Sequence, residues 1–516
     1  MRARYHGEPI TSLEAASLPK ARAAGSQKPT FGFMFGNLSD DPANRLPEGQ
    51  TTIKALIALG SAMTEDPSRR ESGIPAAYTY FGQFIDHDIT KTDFDPSINP
   101  PGIELIGLPF FQPLSRADAI SKSINLRSAK LDLDSLYGGL AADHATDPNG
   151  RMILGKVSSV PPGAPPSIIT ADRLHDLPRY PRIANPVTEQ EKELDRQALI
   201  GDPRNDENLL VAQMHVAFLR AHNALMDRNL SAHDAQVALR RRYQWAVLHD
   251  FLPRVCQREV IDDVLQNGPT FWKIETGDDL FMPFEFSVAA YRFGHSMIRG
   301  GYSHNSTFTG EPFSRFFTFT ALSGDLFEFD SLPNNWIIEW HRFFGTPTTP
   351  ASINPARRID ANLTPELSNL RDFHGAPIAS VMAKLAARNL LRGYLLGLPT
   401  GQAVAAHLGV PALSPNVLRA ATPSGLNRLI EDAGLLERTP LWFYILAEAG
   451  DPSGADGQTL GPVGSRIVAE TLWILVKHSP DSVIDNPPTE AELETGEFTL
   501  KGIIKLGLDD ALPRIL

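Results

Sequence analysis

Apolar positions recur at helical spacing along much of this chain, and they predict helices over 51–63, 206–229, 233–249, 283–298, 378–396, 402–408 and 462–477. Strand-like alternation is rare. Its best candidates are PFSRFFTFT at 312–320 and LFEFD at 326–330. The 42 prolines are spread through all 516 residues, which marks many short helices joined by ordered loops. PPGAPPS at 161–167 and DPSGADG at 451–457 read as such surface loops, and no repeat or low-complexity block interrupts the pattern. The expected fold class is mainly α.

Four places break the apolar pattern with polar groups that a core would not ask for. The first is YTYFGQFIDHDIT, Tyr78 to Thr90, where Phe81, Phe84 and Ile85 follow helical spacing while Gln83, Asp86, His87 and Asp88 interrupt it. On a helix Gln83 and His87 share a face, and each polar group left unpartnered in an interior costs about 1–3 kcal/mol, so partners are expected opposite. The second is Gly201 to Asn223. Asn205 or Asp206 is predicted to cap the helix after Pro203, with Glu207 in its first turn and Arg204 projecting beside it; His215, Leu219 and His222 share a later face. The third is Phe286 to Tyr302, with Val288, Arg292 and His295 along one stripe. A lone histidine on an apolar helix is more often a satisfied core residue than a ligand. Gly294 beside it, however, weakens a helix by about 1 kcal/mol and admits the close approach of something flat or bulky. The fourth is RSAKLDLDSLYGG, Arg127 to Gly139, where Ser128, Asp132, Asp134 and the carbonyl of Lys130 offer the several oxygens a hard cation takes from one loop. A solvated acidic turn is the plain alternative.

Composition narrows the partners. Apolar residues make up 42% and charged residues 21%, ordinary for a globular protein, and the length allows roughly two to four domains. The net charge of −12 and the lack of a basic stripe argue against nucleic acid and anionic membrane surfaces. Cys256 stands alone, which excludes an internal disulfide framework and any multi-cysteine metal site. No apolar run is long enough to span a membrane, and the first 25 residues lack a secretory apolar core. The expected location is cytoplasmic, or outside the cell by a route that reads no classical signal peptide.

Taken in order, the four motifs resemble the animal-type haem peroxidases of the peroxidase–cyclooxygenase superfamily. A pattern GQ..DHD corresponds to Gly82, Gln83, Asp86, His87 and Asp88; the arginine motif is similar to GDPRNDEN, with Arg204 and Glu207; MH....LR.HN is matched by Met214, His215, Leu219, Arg220, His222 and Asn223. RFGH appears as Arg292 to His295, and Asn389 in NLLRGYLLGLP, with Arg392 and the Gly397, Leu398, Pro399 run, stands where the family's asparagine partners the proximal histidine. TPLWFYILAEA at 439–449 and LGPVGSRIVAE at 460–470 extend the likeness. The resemblance implies one large catalytic domain over 76–480 with few short strands, an N-terminal arm over 1–75 packed on it, and a C-terminal extension over 481–516. The absence of a disulfide set and signal peptide suits a bacterial-type member.

The resemblance also implies the chemistry. Haem b is held by the neutral imidazole of His295, whose other ring nitrogen donates to Asn389, with Arg292 beside it. His87 is the general base that takes a proton from hydrogen peroxide, and Arg204 stabilises the charge growing on the departing oxygen. A small organic donor or a halide is the reducing substrate. Asp86 and Glu207 align with the carboxylates that form ester bonds to haem methyl positions. The methionine that follows this glutamate in the chlorinating member is Asn208 here, so no sulfonium link is expected; Gln83 resembles the halide-site residue, which leaves bromide, iodide and thiocyanate open and disfavours chloride. Asp88, Ser128, the Lys130 carbonyl, Asp132 and Asp134 match the family's Ca²⁺ ligands, although a hydroxyl more often stands where Asp134 does.

One departure separates branches of the superfamily. Cyclooxygenases and fatty-acid dioxygenases carry a radical-forming tyrosine three residues before the proximal histidine, and Arg292 occupies that position. Tyr291 is adjacent but about 100° away on an α-helix. Peroxidase is therefore favoured over fatty-acid dioxygenase, and a non-catalytic haem-binding or adhesion module stands behind both. The motifs name neither the electron donor nor the oligomeric state.

Overall fold

The computed structural model describes residues 30–64, 71–94, 111–138, 145–170, 173–324, 326–345, 353–370 and 381–508. The helices that build the site are numbered here α1 (Gln50–Ala62), α2 (Ala77–Ile89), α3 (Leu209–Met226), α4 (Ala232–Ala246), α5 (Leu385–Leu395), α6 (Leu441–Gly450), α7 (Pro462–Lys477) and α8 (Leu500–Leu506). Residues 1–29 and 65–70 of the expected arm, the last positions 509–516 of the expected extension and positions 378–380 of one expected helix lie outside the described residues.

Helix α2 is almost wholly enclosed: every residue except Gly82 and Gln83 is buried. Phe84 stacks on Phe218 of α3 at 4.6 Å, and Phe81 meets Tyr243 of α4 edge-on at 6.0 Å. Each such aromatic side chain contributes about 1.5–3 kcal/mol on burial, enough to hold a helix that starts without a side-chain cap. Helix α1 packs on α5, and α8 packs on α3 and α4. Gly60 lies at the first crossing. A Cβ there would fall 2.5 Å from the Ala387 Cα, against backbone that cannot step aside. Gly60→Ala is accordingly expected to destabilise the protein by about 1–3 kcal/mol, read from urea unfolding, because overpacking forces a backbone shift.

The strands are few, as expected, but lie elsewhere. Thr92–Phe94, Ser123–Asn125, Thr30–Gly32 and Phe281–Pro283 form a four-stranded sheet in that order, with Thr30 parallel to Phe281 and antiparallel to Ile124. This sheet gathers the segment leaving α2, the one entering the acidic loop and the one entering the His295 segment. Of the two strands expected from sequence, Phe313–Phe317 is a 3-10 helix. A strand would have put Arg315 on one face with Phe313 and Phe317; the three-residue turn instead buries Phe313 and Phe316 together and leaves Arg315 exposed. At 326–330 the chain turns through left-handed Leu326 (φ 51°) and Phe327 (φ 50°), held by Arg196 donating to the Phe327 and Phe329 carbonyls at 2.9 and 2.8 Å.

The helix expected over 283–298 is present but not as one α-helix. Glu285–Ala289 is a π turn and Ala290–Met297 a 3-10 helix. Its first turn is pinned by a long-range contact, since the buried Glu285 carboxylate accepts from Met34 N at 2.8 Å and Phe35 N at 3.5 Å.

Candidate active site

Gln83 and Asp86 on α2, and Glu207 and Asn208 just before α3, form one wall of a cavity of about 630 Å³. Tyr291, Arg292, Phe293, Gly294 and His295 of the 3-10 segment also line it. A three-residue repeat eclipses Arg292 with His295, which brings both to one side. Tyr291, expected to point away, lines the same cavity; the difference follows from the change of helix type. His87 and Arg204 are not among the lining residues. His87 lies one turn beyond Gln83 on the same side of α2, with 0% exposure.

A single amide, that of Asn205, fixes two histidines. His87 Nδ1 lies 2.8 Å from Asn205 Oδ1, and Asn205 Nδ2 lies 2.9 Å from His215 Nδ1. An oxygen only accepts and an NH₂ only donates, so His87 carries its proton on Nδ1 and Nε2 is its basic nitrogen, while His215 is the opposite tautomer. Burial, with Arg204 second, lowers His87 to about 4, so it is neutral. Asn205 was expected from sequence to cap α3. Neither it nor Asp206 does so: Asn208 caps the helix, accepting from Leu210 N and Val211 N at 3.1 Å each, and Glu207 precedes it instead of lying in its first turn.

Arg204 sits beside Glu207, as expected, but its guanidinium is tied to Asp202 at 2.6 Å and to the His87 and Thr90 carbonyls at 3.1 and 2.5 Å. Asp202 has 0% exposure and also receives Arg127. Burial alone would raise this carboxyl; the Arg127 and Arg204 guanidiniums hold it well below its usual range. Arg127 in turn reaches Asp134 at 3.3 Å and the Gly201 carbonyl at 2.9 Å. The distal end of α2 and the acidic loop are thus joined through Asp202, a residue that sequence reasoning passed over. The signal was present in GDPRNDEN, since an aspartate two residues before an arginine can cap and pair at once, but nothing local showed that Arg127 would arrive.

Asp88 points into that loop, accepting from Ser135 N at 2.9 Å, Ser135 Oγ at 3.0 Å and Leu133 N at 3.2 Å. Left-handed Ala129 (φ 52°) and Leu133 (φ 61°) curl the loop, and Asp132 Oδ1 accepts from Ser128 Oγ at 3.0 Å and Asp134 N at 3.2 Å. Burial, then the charge of Asp132, pushes Asp88 up to about 8; burial, then Asp134, pushes Asp132 up to about 6. The three carboxyls are close enough to repel one another. Among the described residues, however, no three His, Cys, Asp or Glu side chains form a ready metal cage.

On the other wall, burial followed by the Arg292 charge lowers His295 to about 3, leaving a neutral imidazole. Its Nδ1 lies 3.2 Å from Asn389 Nδ2. The expected pair is present with the amide reversed: here the ring nitrogen accepts. A half-turn of the amide would place its oxygen at the same position and let the ring donate. Arg292 donates to the Ser287 carbonyl at 2.8 Å and stands 3.9 Å from Asp86, whose other oxygen accepts from Thr90 Oγ1 at 2.8 Å. Burial, then Arg388 and Arg292, pulls Arg392 down to about 9, and Arg292 and Arg388 also lie close enough to His295 to lower it.

A family sequence model described as animal haem peroxidase matches residues 43–431. The chain belongs to the animal haem peroxidase family. Curated relatives are a peroxidase-like protein of Margaritifera margaritifera, 26% identical over 273 residues (43% of this chain, 31% of the relative), and a dual oxidase of Drosophila melanogaster, 26% identical over 241 residues (43% and 14%). The chain thus spans under a third of either relative's length. Among solved structures, peroxidase A of Dictyostelium discoideum is similar with a TM-score of 0.56 at 16% identity, covering 89% of this chain and 90% of that one. A fatty acid α-dioxygenase of Oryza sativa gives 0.52 at 12% identity, covering 98% and 84%. At these identities the structures show the fold. No helix among the described residues is long and apolar enough to cross a membrane.

The cavity of this animal haem peroxidase family member fits a haem on its own evidence. Its volume lies within the roughly 300–1,000 Å³ of cofactor sites. A Cβ at Gly294 would meet nothing within 4 Å, which leaves room beside His295. Three lining hydroxyls, Thr79 Oγ1, Tyr291 OH and Ser323 Oγ, are buried and meet no hydrogen-bond partner among the described residues. A flat ligand carrying carboxylates would answer the Arg292 guanidinium on the cavity wall and present acceptors to these hydroxyls.

Proposed function

We propose that this chain is a haem peroxidase that reduces hydrogen peroxide at the expense of a small organic donor, iodide, bromide or thiocyanate. The observation that carries the reading is Arg292: it eclipses His295 on the cavity wall and faces Asp86, at the position where the oxygenase branch has its tyrosine. His295 would hold the haem, which when bound supplies the electrons that cleave the peroxide bond. Nε2 of His87 takes the peroxide proton and returns it to the departing oxygen. Asn205 holds that nitrogen in its basic tautomer. Arg204, anchored by Asp202, places a fixed positive charge behind the same helix end. Asp86 and Glu207, both on the cavity wall, are the residues that would bond covalently to the haem.

The test is reconstitution with haem. A Soret band and peroxide turnover with a phenol or iodide are expected, and loss of extractability into acid ketone after peroxide treatment would mark covalent attachment through Asp86 and Glu207. Haem that extracts fully would sink the ester assignment but leave the peroxidase reading standing. A second reading has one observation in its favour, the buried Tyr291 hydroxyl in the cavity. Oxygen uptake with an unsaturated fatty acid, abolished in Tyr291→Phe, would establish a dioxygenase instead.

Ca²⁺ is proposed at Asp88, Ser128, Lys130 O, Asp132 and Asp134, supported by three carboxyls that repel one another across one curled loop. Chelation is expected to lower peroxide turnover and the melting temperature together, both recovering on adding Ca²⁺ and not on adding Mg²⁺, which demands a stricter octahedron. No response to chelator would remove the ion from the account.

A further inference from the structure

Tyr78, Tyr80 and Tyr291 all line the cavity, but they differ in what can receive the phenolic proton. Neither the Tyr80 nor the Tyr291 hydroxyl has a carboxylate partner among the described residues. The Tyr78 hydroxyl donates to both oxygens of Asp250, at 2.9 and 2.8 Å. A π turn over Val247–Phe251 carries that carboxylate, a helix type found often at functional sites. Leu500 N at the start of α8 and the Arg254 guanidinium hold it in place, each donating at 2.9 Å. Burial, followed by the Asp250 charge, keeps the phenol protonated. A phenol that loses an electron becomes a strong acid, so such a ring is oxidised readily only where a base is already in hydrogen-bond contact. Among the cavity tyrosines that ring is Tyr78.

The same ring also adjoins the surface. The Arg254 guanidinium lies 4.3 Å over it with 41% of its side chain exposed. Phe344 meets Tyr78 edge-on at 6.1 Å, and the exposed Lys501 ammonium stands 5.9 Å over Phe344. Arg254 matches the buried Asp250 carboxylate, so Lys501 leaves this spot positive on a chain whose net charge is −12.

We propose that Tyr78 relays single electrons between the cavity and a second donor site at Arg254, Phe344 and Lys501, which serves anionic one-electron donors too bulky to enter the cavity. The inference rests on the peroxidase reading for its oxidant, the peroxide-oxidised haem. Tyr78 gives one electron to that oxidant and its phenolic proton to Asp250. The neutral tyrosyl radical then takes an electron from the donor at the surface and its proton back from Asp250. Two donor molecules are oxidised for each peroxide reduced to water, and the two further protons come from solvent. Tyr291 lines the same cavity but lacks a base, so it does not take this role.

Ferrocyanide, a tetra-anionic one-electron donor, is the probe. Haem-loaded protein treated with peroxide is expected to show a tyrosyl signal in electron paramagnetic resonance that Tyr78→Phe abolishes and Tyr291→Phe retains. Ferrocyanide turnover, taken as a ratio to iodide turnover in the same preparation, should be lost in Tyr78→Phe. Lys501→Glu changes only an exposed side chain and should raise the KM for ferrocyanide by about tenfold without raising that for iodide. On protein without haem, paramagnetic ferricyanide should broaden the nuclear magnetic resonance signals of Arg254 and Phe344, and Lys501→Glu should remove the effect. A tyrosyl signal that survives Tyr78→Phe, an unchanged ferrocyanide-to-iodide ratio in that variant, or ferricyanide broadening confined to other residues would each overturn the proposal. A wild type that turns over iodide but not ferrocyanide would defeat the relay alone. A haem-loaded wild type that turns over neither iodide nor phenol would defeat the peroxidase reading and the relay with it.

Discussion

Replacing Asp202 with alanine is expected to destabilise the protein by about 3–5 kcal/mol, the cost of removing one partner from a buried ion pair. Asp202 has 0% exposure and sits between the Arg127 and Arg204 guanidiniums. Its removal leaves two buried cations facing each other, deletes the cap of the Pro203–Asp206 turn and loosens the grip of Arg204 on the His87 and Thr90 carbonyls. Asp202→Asn keeps a cap acceptor for Arg204 N, now 2.9 Å from Oδ1, but loses the charge, so it should fall between wild type and alanine. Urea unfolding gives the comparison. A loss under about 1 kcal/mol for the alanine variant would mean that the guanidiniums find other partners and that the pair has the modest worth of a surface bridge. Activity should fall with stability in both variants, because the same carboxylate anchors the segment that carries His87.

His87→Ala is expected to lower peroxide turnover by about 10²–10⁴-fold, the usual contribution of a positioned general base, while leaving haem uptake and the Soret band in place. The two readouts separate because His295, which lines the cavity, is the residue assigned to the iron, whereas His87 is not a lining residue. His295→Ala should do the reverse and abolish haem retention. A drop of less than about tenfold in His87→Ala would remove His87 from the role of base. Asn205→Ala is the more discriminating companion: it leaves both imidazoles in place but removes the oxygen that fixes the proton on Nδ1, so turnover should fall part of the way without loss of haem.

The helices were legible where a local rule governs them. Expected 51–63 became α1 at Gln50–Ala62 and expected 462–477 became α7, because apolar periodicity and the burial of one face are the same fact seen twice. The His295 segment was legible as helical but not as π followed by 3-10, since that choice depends on Glu285 finding backbone donors at Met34 and Phe35, some 250 positions away. The aromatic run at 312–320 misled for a similar reason: alternation on paper does not say which face will find a core. In the site, Gln83, Asp86, Glu207, Arg292 and His295 were singled out and do line one cavity. Asp202, Arg127 and the orienting role of Asn205 were not, because their meaning lies in partners remote in the chain.

What the sequence determined by itself is the set of polar groups on α2 and the family they resemble, because residue type and helical spacing decide which side chains share a face. What only the tertiary structure decided is direction: which histidine nitrogen is basic, which residue caps α3, where Arg204 points and that Tyr291 lines the cavity. Hydrogen bonds are directional, and the deciding partners are remote in the chain, so these outcomes depend on where distant atoms such as Asn205 Oδ1 and the Arg127 guanidinium come to rest.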